Sequence, residues 1–153
     1  MPRRRPLLDP LRLINLWPPY LGAGIRVARP DEHTFVVRSK LRWWNRNYFG
    51  THFGGTLYAM CDPFFALILA QRLGSGYVVW DKAATIRFLR PGRGTVTARF
   101  HVPAAEVETI RQAADRGGRV EPEMVAEVFD EAGEVVARVD KTLYVRRKSP
   151  PAG

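Results

Sequence analysis

Between Asn45 and Asp62 the chain reads N-R-N-Y-F-G-T-H-F-G-G-T-L-Y-A-M-C-D, and most of its chemically useful residues are gathered there. The run leaves a strand-like stretch, passes Gly50, Gly54 and Gly55, and enters an almost wholly apolar helical segment. That segment carries one acid, Asp62. A carboxylate set in apolar sequence is costly unless it is paired or used. A helix start offers backbone N–H groups with no partner within the helix, and an acid can act on water. Together they are two parts of a hydrolytic site. Gly55 and Asp62 are seven residues apart, nearly one helical face but ~10 Å along the axis. One helix therefore cannot place its own start and its own acid on one carbonyl. Two antiparallel helices from two subunits can, which predicts a site shared across a two-fold dimer. Structural alternatives stand beside this. Asp62 is then a buried acid bonded to backbone or a tyrosine, and the glycines serve a tight turn and close packing.

The remaining reactive residues narrow the chemistry. Cys61 lies in the apolar helix with no His/Asn set at a recognisable spacing, so core packing is expected of it. His52, at the loop–helix junction, is read as capping or orienting, or as a structural histidine. His33 and His101 fall in a turn and at a strand end. Three scattered histidines and one cysteine form no metal spacing, and no phosphate-loop or dinucleotide glycine motif is present. No metal or redox cofactor is expected. Arg87, Arg90 and Arg93 cluster near a strand end, where they can meet substrate phosphates or simply be solvated edge charges. Trp43, Trp44 and Trp80 can line a pocket or fill core.

At 153 residues, 46% of them hydrophobic and 25% charged, the chain reads as one globular domain over 7–148 with a real core. The formal charge of +9 is concentrated at the ends. It falls to +3 when the six basic residues of Arg3–Arg5 and Arg146–Lys148 are set aside. Such clusters attract nucleic acid or anionic membranes, or are solvated tails; no DNA-reading helix is evident, so nucleic acid is not the expected partner. The start resembles a signal peptide only as far as Arg5, because Asp9, Pro10 and Arg12 interrupt any apolar run. No window approaches the ~20 apolar residues of a membrane span. A single cysteine fits a reducing compartment, and a cytoplasmic location is expected.

The positioning elements follow from periodicity. Residues 1–6 and 149–153 are expected to be disordered. Asp9-Pro10 caps a short N-terminal helix to Leu16, which Pro18-Pro19 stop. Strands are predicted at Ile25–Arg29 and Thr34–Trp44, the second by strict alternation. A central helix over Phe53–Leu73 is apolar all round and hence buried all round, with a kink near Asp62 because Pro63 cannot donate. Strands follow at Tyr77–Arg90, Thr95–Val102, Met124–Phe129 and Val135–Arg147, with a short amphipathic helix after Pro103. Five or six antiparallel strands and one fully apolar helix imply an α+β fold, a curved sheet wrapped around the helix.

These residues resemble the hotdog superfamily, and within it the PaaI-type acyl-CoA thioesterase branch. More narrowly the chain is similar to an uncharacterised domain-of-unknown-function group of that branch. The resemblance rests on Asn45/Asn47 followed by Gly50-Thr51-His52-Phe53-Gly54-Gly55 and then Asp62. Phe88-Leu89-Arg90-Pro91 leading to Gly94, and Trp17–Gly24, support it over residues 11–147. It implies that N–H groups around Gly54 and Gly55 bind a thioester carbonyl. It implies further that Asp62 activates water or attacks that carbonyl, and that Asn47, or Asn45 in another register, orients substrate or water. His52, Arg90 and Arg93 are the candidate substrate contacts, and the partners are an acyl-coenzyme A and a homodimer or dimer of dimers. One departure stands out. The PaaI pattern has histidine directly before the glycine pair, where this chain has Phe53. His52 is displaced by one position, about 100° around a helix. That departure keeps open a non-catalytic acyl or acyl-CoA binding protein.

Overall fold

The computed structural model describes residues 10–149. Expectations for residues 1–6, for Asp9 as a cap and for nearly all of the 149–153 tail lie outside that range. The described chain begins with a 3₁₀ helix at Pro10–Leu16, in the place of the expected short N-terminal helix. Trp17 precedes proline and is held extended (φ −64°, ψ 125°), which cuts the turn short. Pro18-Pro19 not only stop that turn but open a further helix, α1 (Pro18–Ala23). Proline suits this place because first-turn N–H groups have no helical partner to lose. Gly24 closes α1 at φ +69°, donating its N–H to Leu21.

Strands β1 (Ile25–Asp31) and β2 (Thr34–Lys40) pair antiparallel. β2 ends four residues before the expected Trp44, and an irregular loop leads to the helical segment. The expected single kinked helix is two helices, α2 (Gly54–Ala59) and α3 (Phe64–Leu73). Pro63 has no N–H for the carbonyl of Ala59. The chain instead tightens, with Cys61 N–H donating to Tyr58 O and Asp62 N–H to Ala59 O. Then follow β3 (Tyr77–Phe88), β4 (Thr95–His101), α4 (Ala104–Asp115), the two-residue β5 (Arg119–Val120), β6 (Glu123–Phe129) and β7 (Val135–Arg147). The short β5, absent from the sequence reading, makes seven strands among the described residues. Arg146 and Arg147 belong to β7 rather than to a tail, and Arg147 pairs with Asp115 at 3.2 Å.

The sheet order is β1-β2-β4-β6-β7-β3, with every neighbouring pair antiparallel and β5 on β7. β3 therefore sits at the opposite side of the sheet from β2, although only α2 and α3 separate them in sequence. The helical segment must cross the sheet face, and it is not buried all round as expected: Thr56, Leu57, Phe64, Phe65, Ala66, Ile68, Leu69 and Leu73 are buried, whereas Gly55, Ala70 and Gln71 are exposed. Phe64 is the centre of that packing, with ring centroids 5.3 Å from Phe35, 5.0 Å from Phe100 and 6.3 Å from Tyr20. Inward residues of β4, β6 and β7, among them Val96, Ala98, Val128, Val139 and Leu143, complete the core.

Candidate active site

The loop before α2 is held by its asparagines. Asn45 is buried; its Oδ1 accepts from Arg42 N–H (2.7 Å), and its Nδ2 donates to the carbonyls of Ala23 and Lys40 (3.0 Å each). Any side chain at Gly24 would strike this amide, 2.7 Å from an added Cβ. Asn45 thus locks the loop to the end of α1. It lies on a different cavity from Asn47. Asn47 closes the next turn: Oδ1 accepts from the N–H groups of Phe49 and Thr51 (3.0 Å each), and Nδ2 donates to Thr51 Oγ1 (3.0 Å) and to the His52 carbonyl (3.3 Å). The amides of both asparagines are engaged by this chain.

His52 is 3% exposed. Its N–H donates to Gly92 O and its Nε2 to Gly94 O, each at 2.9 Å, which ties the loop to the turn after β3. A carbonyl partner requires the proton on Nε2, so Nδ1 is an acceptor. It is buried and has no partner among the described residues. Burial pushes the imidazole below its usual value of 6.5, so the ring is held neutral.

α2 then starts at Gly54 with Phe53 as its N-cap, and no side chain caps it. Thr56 and Leu57 donate to Phe53 O, whereas the N–H groups of Gly54 and Gly55 have no hydrogen-bond partner among the described residues. Both glycines lie against exposed aromatic rings. The Phe88 ring would lie 3.0 Å from a Cβ at Gly54, and the Phe53 ring folds directly over Gly55. Asn47, His52, Gly54, Arg90 and Arg93 line one open cleft of about 490 Å³, walled by Leu57 and Phe88. Arg90 pairs with Glu134 at 3.0 Å and Arg87 with Asp140 at 3.3 Å, while Arg93 has no ion pair among the described residues. Gly55 and Asn45 face a neighbouring cavity of about 390 Å³ instead.

Asp62 lines neither cavity. It sits in the break between α2 and α3, its side chain 45% exposed. Tyr20 donates its hydroxyl to the Asp62 carbonyl. The carboxylate meets Lys141 Nζ at 3.4 Å, and the same ammonium reaches Asp81 Oδ2 at 2.8 Å and Cys61 O at 3.1 Å. Burial raises the Asp81 carboxyl above the usual range; the adjoining Asp62 adds to this and Lys141 opposes it. Cys61 is fully buried, its thiol pushed up to about 12 by desolvation, which leaves almost no thiolate for nucleophilic chemistry.

Lys141 and Asp81 were missed by sequence reasoning. A signal was present. Ala137, Val139, Leu143 and Val145 alternate inward along β7, and Lys141 occupies the inward place between Val139 and Leu143. Asp81 continues the alternation of Tyr77 and Val79 in the same way, just before a bulge in the β3–β7 pairing.

The family described as a domain of unknown function, DUF4442, matches residues 11–145. The chain belongs to it. No curated protein matches the chain. Among solved structures, a protein of unknown function from Pseudomonas aeruginosa, described as a probable thioesterase, is 22% identical, with 82% of this chain and 85% of that one covered at a TM-score of 0.76. A Haemophilus influenzae thioesterase is 17% identical over 94% and 92% of the chains, with a TM-score of 0.64. The PaaI protein of the Escherichia coli phenylacetic acid degradation operon is 23% identical over 85% and 83%, with a TM-score of 0.59. These likenesses establish the fold. The chain takes the hotdog architecture expected from its sequence.

Proposed function

We propose that this chain is an acyl-CoA thioesterase whose site is completed by a second copy. One observation carries the reading. The cleft with the unpartnered Gly54 amide lies at the start of α2, and the half-exposed Asp62 lies beyond its end, outside that cleft. Within one protomer the two halves do not meet. The outer edge of β3, twelve residues long, ends the sheet and has no strand partner among the described residues. Such an edge is a template for pairing. Two β3 edges joined about a two-fold axis run their α2 helices antiparallel, bringing each Asp62 toward the other copy's helix start.

In that arrangement the thioester carbonyl oxygen accepts from the Gly54 N–H group, which stabilises the negative charge that develops on it. Asp62 takes a proton from water as the water oxygen attacks the carbonyl carbon. The carbon–sulfur bond then breaks, and the departing thiolate receives the proton held by Asp62. His52 and Asn47 hold the wall of the cleft, and Arg90 and Arg93 at its rim suit the coenzyme A phosphates. Asp62→Asn and Asp62→Ala should each lower kcat on acyl-CoAs at least ~100-fold, with assays spanning short, long and aromatic acyl groups. Turnover that survives both substitutions would remove Asp62 from the mechanism.

A second reading, acyl-CoA binding without hydrolysis, is favoured by the rings of Phe53 and Phe88 lying against the two glycines. Saturable binding by calorimetry with no release of thiol would establish it. Among the described residues no helix is long and apolar enough to cross a membrane.

A further inference from the structure

Lys141 is the least expected residue in the core. Its side chain is 0% exposed, and its neighbours along the inner face of β7, Val139 and Leu143, are fully buried. An ammonium carries three donors, and here all three acceptors are named: Asp81 Oδ2, Cys61 O and Asp62 Oδ1. Two of the three belong to the short break between α2 and α3. Stability alone does not account for this, because a buried ion pair is often no better than well-packed apolar side chains of the same volume. A lysine paired only with Asp81 would also satisfy its charge. The additional reach to Cys61 and Asp62 bolts the break to the sheet.

We propose that Lys141 is the positioning residue for Asp62. It anchors Oδ1 so that Oδ2 alone faces the reacting water, and Asp81 is the counterion that keeps the ammonium in the core. The inference rests on the thioesterase reading of Asp62. The geometry supports it from three elements. Asp81 comes from β3, Lys141 from β7, and Asp62 from the break between the helices, so the ammonium that meets the carboxylate is itself held from β3. The other titratable groups facing the cluster are Tyr58 of α2, whose ring centroid is 6.0 Å from Nζ, Cys61 beside Asp62, and Tyr20 of α1 on the Asp62 carbonyl. Burial keeps the tyrosines and the thiol uncharged through neutral pH. The charge balance at the site therefore belongs to one ammonium and two carboxyls.

The test uses the full chain carrying Lys141→Met, Lys141→Arg or Asp81→Asn, with kcat, KM and the pH–rate profile measured on an acyl-CoA that the wild type turns over. K141M should lower kcat on the order of 100-fold with little change in KM, and should move the acidic limb of kcat to higher pH. K141R, which restores the charge, should recover part of both. D81N leaves the ammonium to Asp62 alone and should move the limb to lower pH. A purely structural lysine predicts otherwise: kcat would fall only with the folded fraction, and the limb would stay in place. That result overturns the proposal, and D81N decides the matter should K141M fail to fold. If the wild type turns over no acyl-CoA, the thioesterase reading fails. The inference falls with it, whereas an active wild type whose kcat limb does not move in K141M and D81N overturns the inference alone.

Discussion

His52 carries a pH signature on the acidic side of neutrality. Its folded-state value lies below the unfolded 6.5, because burial disfavours the imidazolium. Between the folded and unfolded values the unfolded chain binds more protons, so stability rises with pH across that window. The contribution is complete above ~6.5 and is lost as acidification carries pH down through the folded value. Urea denaturation at pH 7.5 and pH 5.5 should show this loss in the wild type and a smaller one in His52→Gln. Asp81 contributes in the opposite sense, since its raised value favours the fold on the acidic side. Asp62 was legible in the sequence as a lone acid in apolar surroundings. Its partners were not, because Lys141 and Asp81 are distant in sequence and each resembles an ordinary polar interruption of a strand. Only the antiparallel register of β3 on β7 sets them together. Asn45 and Asn47 show the converse limit. The sequence offered two registers for one orienting amide, and the structure engages Asn45 with the carbonyls of Ala23 and Lys40 and Asn47 within its own turn.

At the scale of elements, the broken helical segment is the part on which both core and site depend. Replacing Phe64 by alanine removes the ring that joins Phe35, Phe100 and Tyr20. A fully buried phenylalanine lost this way costs roughly 3–5 kcal/mol, and chemical denaturation should read that loss as a lowered midpoint. The apolar character of residues 53–73 was plain from composition, and so was a disturbance at Pro63. Its degree was not, because a kink and a break differ only in how the carbonyls around Tyr58 and Ala59 find new donors. α1 was hidden for a related reason. Proline ends one helical turn and begins the next with equal ease, and local sequence does not say which. Alternation located the strands but not all of their ends. β2 was drawn too long because Leu41 and Trp43 maintain the pattern after the chain has left the sheet at Lys40.

Across the whole molecule, the two halves of the proposed site lie at opposite ends of α2, and this gives a sharp genetic test. Asp62→Asn disables one half and Gly54→Val the other, since a side chain at Gly54 meets the Phe88 ring. Co-expressed and mixed, the two inactive chains should regain up to about half the wild-type activity per mixed dimer, because one of its two sites then draws both halves from unmutated residues. A mixture as inert as either parent alone would place both halves in one protomer. The twelve-residue margin of β3 has a consequence beyond the site. A solitary copy displays a ribbon of unsatisfied peptide groups, and strong dilution should both silence the chemistry and leave protomers prone to stick to any extended peptide they meet. Concentration would then act as a control on this protein as direct as any ligand.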